Sequence, residues 1–123
     1  MYSNQIMEEF YNTECYGNMR GASGVGKVVC SEGDEIIKIF IVVEKGVITQ
    51  AEFQTFGGVV AIAASSVATN FIYGKSLAEV KKFNINKITE IIGEVPENKA
   101  YILPLVVSAV LSAVDSYYNK SEK

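Results

Sequence analysis

Two thiols, Cys15 and Cys30, and the run G-A-S-G-V-G-K at residues 21–27 are the parts of this 123-residue chain whose types and spacing could do chemistry. Thiolates bind soft metals and attack electrophiles. The glycine run matches the phosphate-cradling spacing G-x-x-x-x-G-K. No histidine occurs anywhere in the chain. Imidazole is therefore absent as base, nucleophile partner and metal ligand, which excludes Ser-His-Asp and Cys-His mechanisms. Chemistry has to rest on carboxylates, hydroxyls, lysines or the two thiols.

A phosphate loop needs a strand before its glycines, a helix after them and a Ser or Thr following the lysine to hold magnesium. Val28 stands at that last position, and Val28, Val29 and Cys30 favour a strand. No strand signal precedes. The bland reading is a glycine-rich loop entering an edge strand, with nucleotide binding as its alternative.

The elements that must position these groups turn on residues 53–66, F-Q-T-F-G-G-V-V-A-I-A-A-S-S. A strand ends there, Gly57-Gly58 makes a corner, and a run of small apolar residues suits a tightly packed helix. This corner is where a site is expected, at residues 57–61. Upstream, residues 25–30 and 36–43 are β-prone, and Glu44-Lys45-Gly46 is a short turn into residues 47–56. In that last arm Val47, Ala51 and Phe53 alternate with Gln50, Glu52 and Gln54, giving a core face and a wet face. Residues 2–12 place Ile6, Met7 and Phe10 at helical spacing, and residues 13–24 read as a loop containing Cys15.

Downstream, residues 59–73 are helical and Gly74 stops them. Ser76 and Glu79 form a capping box, Asn84 or Asn86 caps a further helix ending near Gly93, and a loop with Pro96 leads to a final helix at about residues 101–118. Pro104 is tolerable there only in the first turn. Strands first and helices afterwards predict an α+β fold: a small antiparallel sheet of about three strands with helices packed on one face.

The chain has 49% hydrophobic residues, enough for one domain across residues 1–123. Its net charge of −3 argues against nucleic acid as a partner. Two cysteines and no leader-like start suit a reducing cytoplasm. The most apolar stretch, residues 100–114, contains Pro104 and Ser108 and falls short of the roughly 20 residues of a spanning helix, so no membrane span is predicted.

Several motifs stand together in one register. They are M-Y-S with Met7, Glu8 and Phe10, G-V-G at 24–26, K-I-F-I at 38–41, F-Q-T-F-G at 53–57, A-I-A at 61–63, G-K-S-L at 74–77 and V-P-E-N-K at 95–99. Taken together they resemble the IscU/NifU N-terminal family over nearly the whole chain. The resemblance implies a scaffold on which iron–sulfur clusters are assembled, with three cysteines, an Asp and often a His at one end of the fold. In register, the family's first cysteine falls on Gly33 and its Asp on Glu35. The second cysteine falls on Gly58, and the His-Cys pair on Tyr101 and Ile102. All three ligand cysteines are replaced, whereas a cluster normally takes about four ligands.

The resemblance thus implies a scaffold with a degenerate site and no cluster bound at the family position, a binding module without enzymatic activity. A cysteine desulfurase or a competent scaffold homologue is the implied partner. An alternative keeps metal handling, with Cys30 and Glu35, helped by Asp34 or another subunit, as substitute ligands for a single ion or a cluster. A further alternative is an apolar small-molecule pocket or interface lined by Val59, Val60, Tyr101 and Ile102. The final helix is apolar almost all round through Leu105, Val106, Val107, Val110, Leu111 and Val114. It points either to a homo-oligomer or to a helix sunk in its own core.

Overall fold

The computed structural model describes residues 22–30 and 35–121. The expected helix at residues 2–12, together with Cys15, Gly33 and Asp34, lies outside the described residues.

Three strands form an antiparallel sheet in chain order: β1 (Gly24–Val29), β2 (Ile36–Glu44) and β3 (Val47–Phe56). The β2–β3 hairpin closes through Lys45 and Gly46, both at positive φ, the backbone that matches the twist of a two-residue turn. Four helices follow: α1 (Val59–Ile72), α2 (Leu77–Val80), α3 (Ile85–Ile92) and α4 (Ile102–Ser121), with a 3-10 turn at Glu97–Lys99 before the last.

One face of the sheet is built for helices. Gly24, Ile41 and Ala51 share a cross-strand row, as do Gly26, Ile39 and Phe53, and then Val28, Ile37 and Thr55. Ile37, Ile39, Ile41 and Phe53 are completely buried under α1 and α4. The opposite face carries Lys27, Lys38, Glu52 and Gln54. The architecture is therefore α+β, with helices on one face of a three-stranded sheet.

The expected alternation of β3 needs one correction. Ile48, Ala51, Phe53 and Thr55 are buried, while Val47 is only half-buried. Val42 pairs with Gln50 but Val43 pairs with Ile48, so Thr49 is the extra residue of a bulge and every residue before it changes face. The Thr49 hydroxyl donates to the Val42 carbonyl at 3.4 Å.

The glycine-rich run proves to be a packing device. An ideal Cβ on Gly26 would stand 2.0 Å from the carbonyl oxygen of Ala109, and one on Gly24 would stand 2.3 Å from that of Ala113. β1 therefore lies directly on the α4 backbone, with Ser116 Oγ accepting from the Val25 amide at 3.2 Å. Val28 continues the strand, no helix follows, and Lys27 is exposed on the side away from α4. A phosphate cradle is absent from the described part of the run.

Helix α1 is buried almost all round because Ala61, Ala63, Ala64 and Ala68 leave room for its neighbours. Its polar members are satisfied internally: Thr55 donates to Ser65 Oγ at 3.0 Å, and Thr69 donates back to the Ser65 and Ser66 carbonyls at 3.1 Å. Helix α2 begins with the expected capping box of Ser76 and Glu79, and α3 with Asn84, whose side chain accepts from the Lys87 amide at 3.3 Å.

Helix α4 packs on β1, β2 and the other three helices, burying Val106, Ala109, Val110, Ala113 and Val114. Leu105, Val107 and Leu111 are half-buried, so much of its apolar surface is covered within the chain. Together with the preceding turn, residues Glu97–Asn119 contain an 18-residue window of mean hydropathy 1.6, long and apolar enough by length and composition alone to cross a membrane. The sequence expectation of too short a stretch is corrected in that respect. Central packing in a small domain demands the same composition, and this helix lies against the sheet.

Candidate functional site

The strand ends bring the expected residues to one end of the sheet. The Cys30 amide donates to the Glu35 carbonyl at 2.9 Å, extending the β1–β2 ladder one step past the Val29–Ile36 pair. Alternation then carries Cys30 after Val28, Glu35 before Ile37 and Gly57 after Thr55 onto the helix-covered face. These three form its last row. Glu35 is only 6% exposed. Gly57, at φ 152, would bring any Cβ to 3.0 Å from both the Glu35 Cγ and the Ala61 Cβ. The arm of Glu35 thus fills the space above Gly57, and the backbone there disfavours any side chain.

The far side of the site is supplied by the start of α4. Tyr101, 40% exposed, donates its phenolic hydrogen to Glu35 Oε1 at 2.9 Å across 66 residues of sequence. The carboxylate is thereby engaged by a neutral donor in a nearly buried place, a contact stronger than an ordinary hydrogen bond. Ile102, the next residue, is buried to 1% exposure.

Gly58 caps the N-terminus of α1 at φ −86 and ψ −168, without a side-chain cap. A Cβ there would meet nothing within 4 Å. Val59 is half-buried and Val60 is 1% exposed. Of the four residues expected to wall an apolar pocket, Val60 and Ile102 therefore belong to the core, while Val59 and Tyr101 reach the surface.

The structure thus gathers Cys30, Glu35, Gly58, Tyr101 and Ile102 at one end of the fold, and Gly33 lies outside the described residues. The Tyr101–Glu35 hydrogen bond was missed by sequence reasoning. Its signal was available in the pairing of a phenol with a carboxylate at two positions the resemblance had already assigned to one site.

Cys30 is a half-buried free thiol. Among the described residues no three His, Cys, Asp or Glu side chains gather as a metal cluster. Among the described residues, one thiol, one phenol and one carboxylate already holding that phenol supply fewer thiolates than an iron–sulfur cluster takes. Two surface clefts lie elsewhere along α3 and α4. One of about 380 Å³ is lined by Asn84, Ile85, Asn86, Pro104, Val107 and Ser108. The other, about 440 Å³, is lined by Thr89, Gly93, Glu94, Val95, Ala100 and Leu103.

Comparison with known proteins agrees with the fold and the motifs. The NifU-like N terminal domain family matches residues 1–123. Iron-sulfur cluster assembly scaffold protein IscU 1 of Archaeoglobus fulgidus is 33% identical over 123 residues, which are 100% of this chain and 80% of that protein. Among solved structures, the N-terminal NifU-like protein of Brucella abortus aligns with a TM-score of 0.77 at 17% identity, over 95% of this chain and 94% of its own. A protein of Fervidobacterium islandicum AW-1, described as a cluster assembly scaffold for the SUF system, aligns with a TM-score of 0.75 at 17% identity, over 92% and 96% respectively. At such identities the structural likeness speaks for the fold.

Proposed function

This chain belongs to the NifU-like N terminal domain family, and from that premise we propose that it serves iron–sulfur cluster assembly as a scaffold homologue with a closed, ligand-poor site. It acts by binding, without catalysis, in the cytoplasm. The observation that carries this reading is the 2.9 Å hydrogen bond from Tyr101 to Glu35. Two positions that correspond to the family's His and Asp satisfy each other, while the positions of its second and third cysteines hold a bare Gly58 and a core Ile102. The cluster, as cargo, would find no thiolate cradle. A desulfurase or a ligand-competent scaffold is the partner that this chain's fold would engage.

The test is iron and acid-labile sulfide content after anaerobic reconstitution. Wild-type protein is expected to retain neither. A variant combining Gly33→Cys, Gly58→Cys and Ile102→Cys is expected to gain both, with Gly58→Cys accommodated in open space. Stoichiometric iron and sulfide on the wild-type chain would overturn the reading.

A second reading, single-ion binding through Cys30 and Glu35, is favoured by one observation, the 2.9 Å backbone bond that sets these residues side by side. It requires Cys30→Ser to abolish zinc or ferrous ion binding with the fold intact. Equal binding by wild type and Cys30→Ser removes it.

A further inference from the structure

Between Ile92, fully buried at the end of α3, and Ile102, 1% exposed at the start of α4, runs a nine-residue strap, 93–101, in which no residue is buried. Its ends differ. At one end Gly93 leaves α3 at φ 74 and ψ −152, with its amide still bonded to the Thr89 carbonyl at 2.9 Å. That backbone is open to glycine and strained for other residues. At the other end Tyr101 is tied to Glu35.

Between the two ends the strap holds mainly to itself. Lys99 donates to Pro96, and Ala100 donates to Glu97, each a bond spanning three residues. Val95 touches the core from a half-buried position. The strap forms one wall of the open surface cleft of about 440 Å³, with Gly93, Glu94, Val95 and Ala100 from the strap itself and Thr89 and Leu103 from the helices at either end. A segment with no buried side chain, local hydrogen bonds and space beside it belongs to the low-stability end of a domain.

We infer that residues 93–101 form a hinged strap along one wall of this cleft, pivoting at Gly93 and latched to the sheet end by the Tyr101–Glu35 hydrogen bond. Released, the strap swings between its anchors at Ile92 and Ile102, moving one wall of the cleft and freeing the Glu35 carboxylate together. The cleft and the sheet-end site are therefore coupled through this latch, whatever the chain's cargo. The inference stands apart from the cluster-assembly reading, because it concerns only this segment's freedom to open.

Amide hydrogen exchange on the full chain tests it. Tyr101→Phe removes one oxygen and is expected to accelerate exchange in residues 97–103 by about tenfold, the effect of losing one such hydrogen bond, with β2 and β3 unaltered. Glu35→Ala is expected to accelerate the same amides, and the double variant to open no further than the single ones. Unchanged strap exchange in Tyr101→Phe, acceleration spread evenly over the sheet, or additive effects in the double variant would each overturn the latch.

Discussion

The two ends of β1 are held by opposite means. At its start Gly24 and Gly26 lie on the carbonyls of Ala113 and Ala109 with no room for a methyl group. At the other end, past Val29, the neighbouring Gly58 faces open space, and a phenol and a carboxylate close the site with one hydrogen bond. Both regions are rich in glycine, but the glycines mean different things. In the seam they are demanded by the backbone of another element. At Gly58 the surroundings and the backbone both admit a side chain.

The contrast is broken most directly at the seam. Gly26→Val is expected to cost about 3 kcal/mol or more, because the side chain meets helix backbone and cannot be accommodated by a rotamer change. A lowered denaturation midpoint checks this, and a near-native midpoint would show that the seam can part. Ile102→Ala comes next, at about 2–5 kcal/mol, since this site-end residue belongs to the core. A cost below that range in the same denaturation series would move Ile102 to the open side of the comparison.

Ser76→Ala, which removes the capping box of α2 away from both regions, is expected to cost about 1 kcal/mol and serves as the reference. Gly58→Ala should be nearly silent, within about 0.5 kcal/mol. The entropy gained by restricting the unfolded chain there is offset by alanine's poorer capping of α1. A large loss would erase the distinction between the two sets of glycines.

What the sequence revealed followed the range of the forces involved. The Lys45–Gly46 turn, the Ser76–Glu79 box, the Asn84 cap and the stop at Gly93 are local, and each was legible from neighbouring residues. The bulge at Thr49 was not, because a single extra residue leaves the β-prone pattern intact while reversing which of Val47 and Ile48 faces the core. The seam was hidden for another reason. Gly24 and Gly26 have a motif of their own, and the helix that requires them lies some eighty residues away in sequence. The apolar girth of α4 left a homo-oligomer and a helix sunk in its own core both open, because composition does not say what covers a face. The sheet, α1 and α3 cover much of it. At the site, register through the family resemblance placed Glu35 and Tyr101 together, but only coordinates reveal that one donates to the other.

The seam also dictates an order of events. Because β1 rests on the last helix, the earliest described strand cannot be secured until the final segment has formed and docked. Contacts so distant in sequence exact a large loop-closure entropy and slow the search for the native state. During synthesis α1 can cover β3 as soon as it is made, but β1 and much of β2 wait for the last helix. Loss of α4 would therefore loosen the beginning of the fold as much as its end, leaving an unprotected sheet edge open to aggregation.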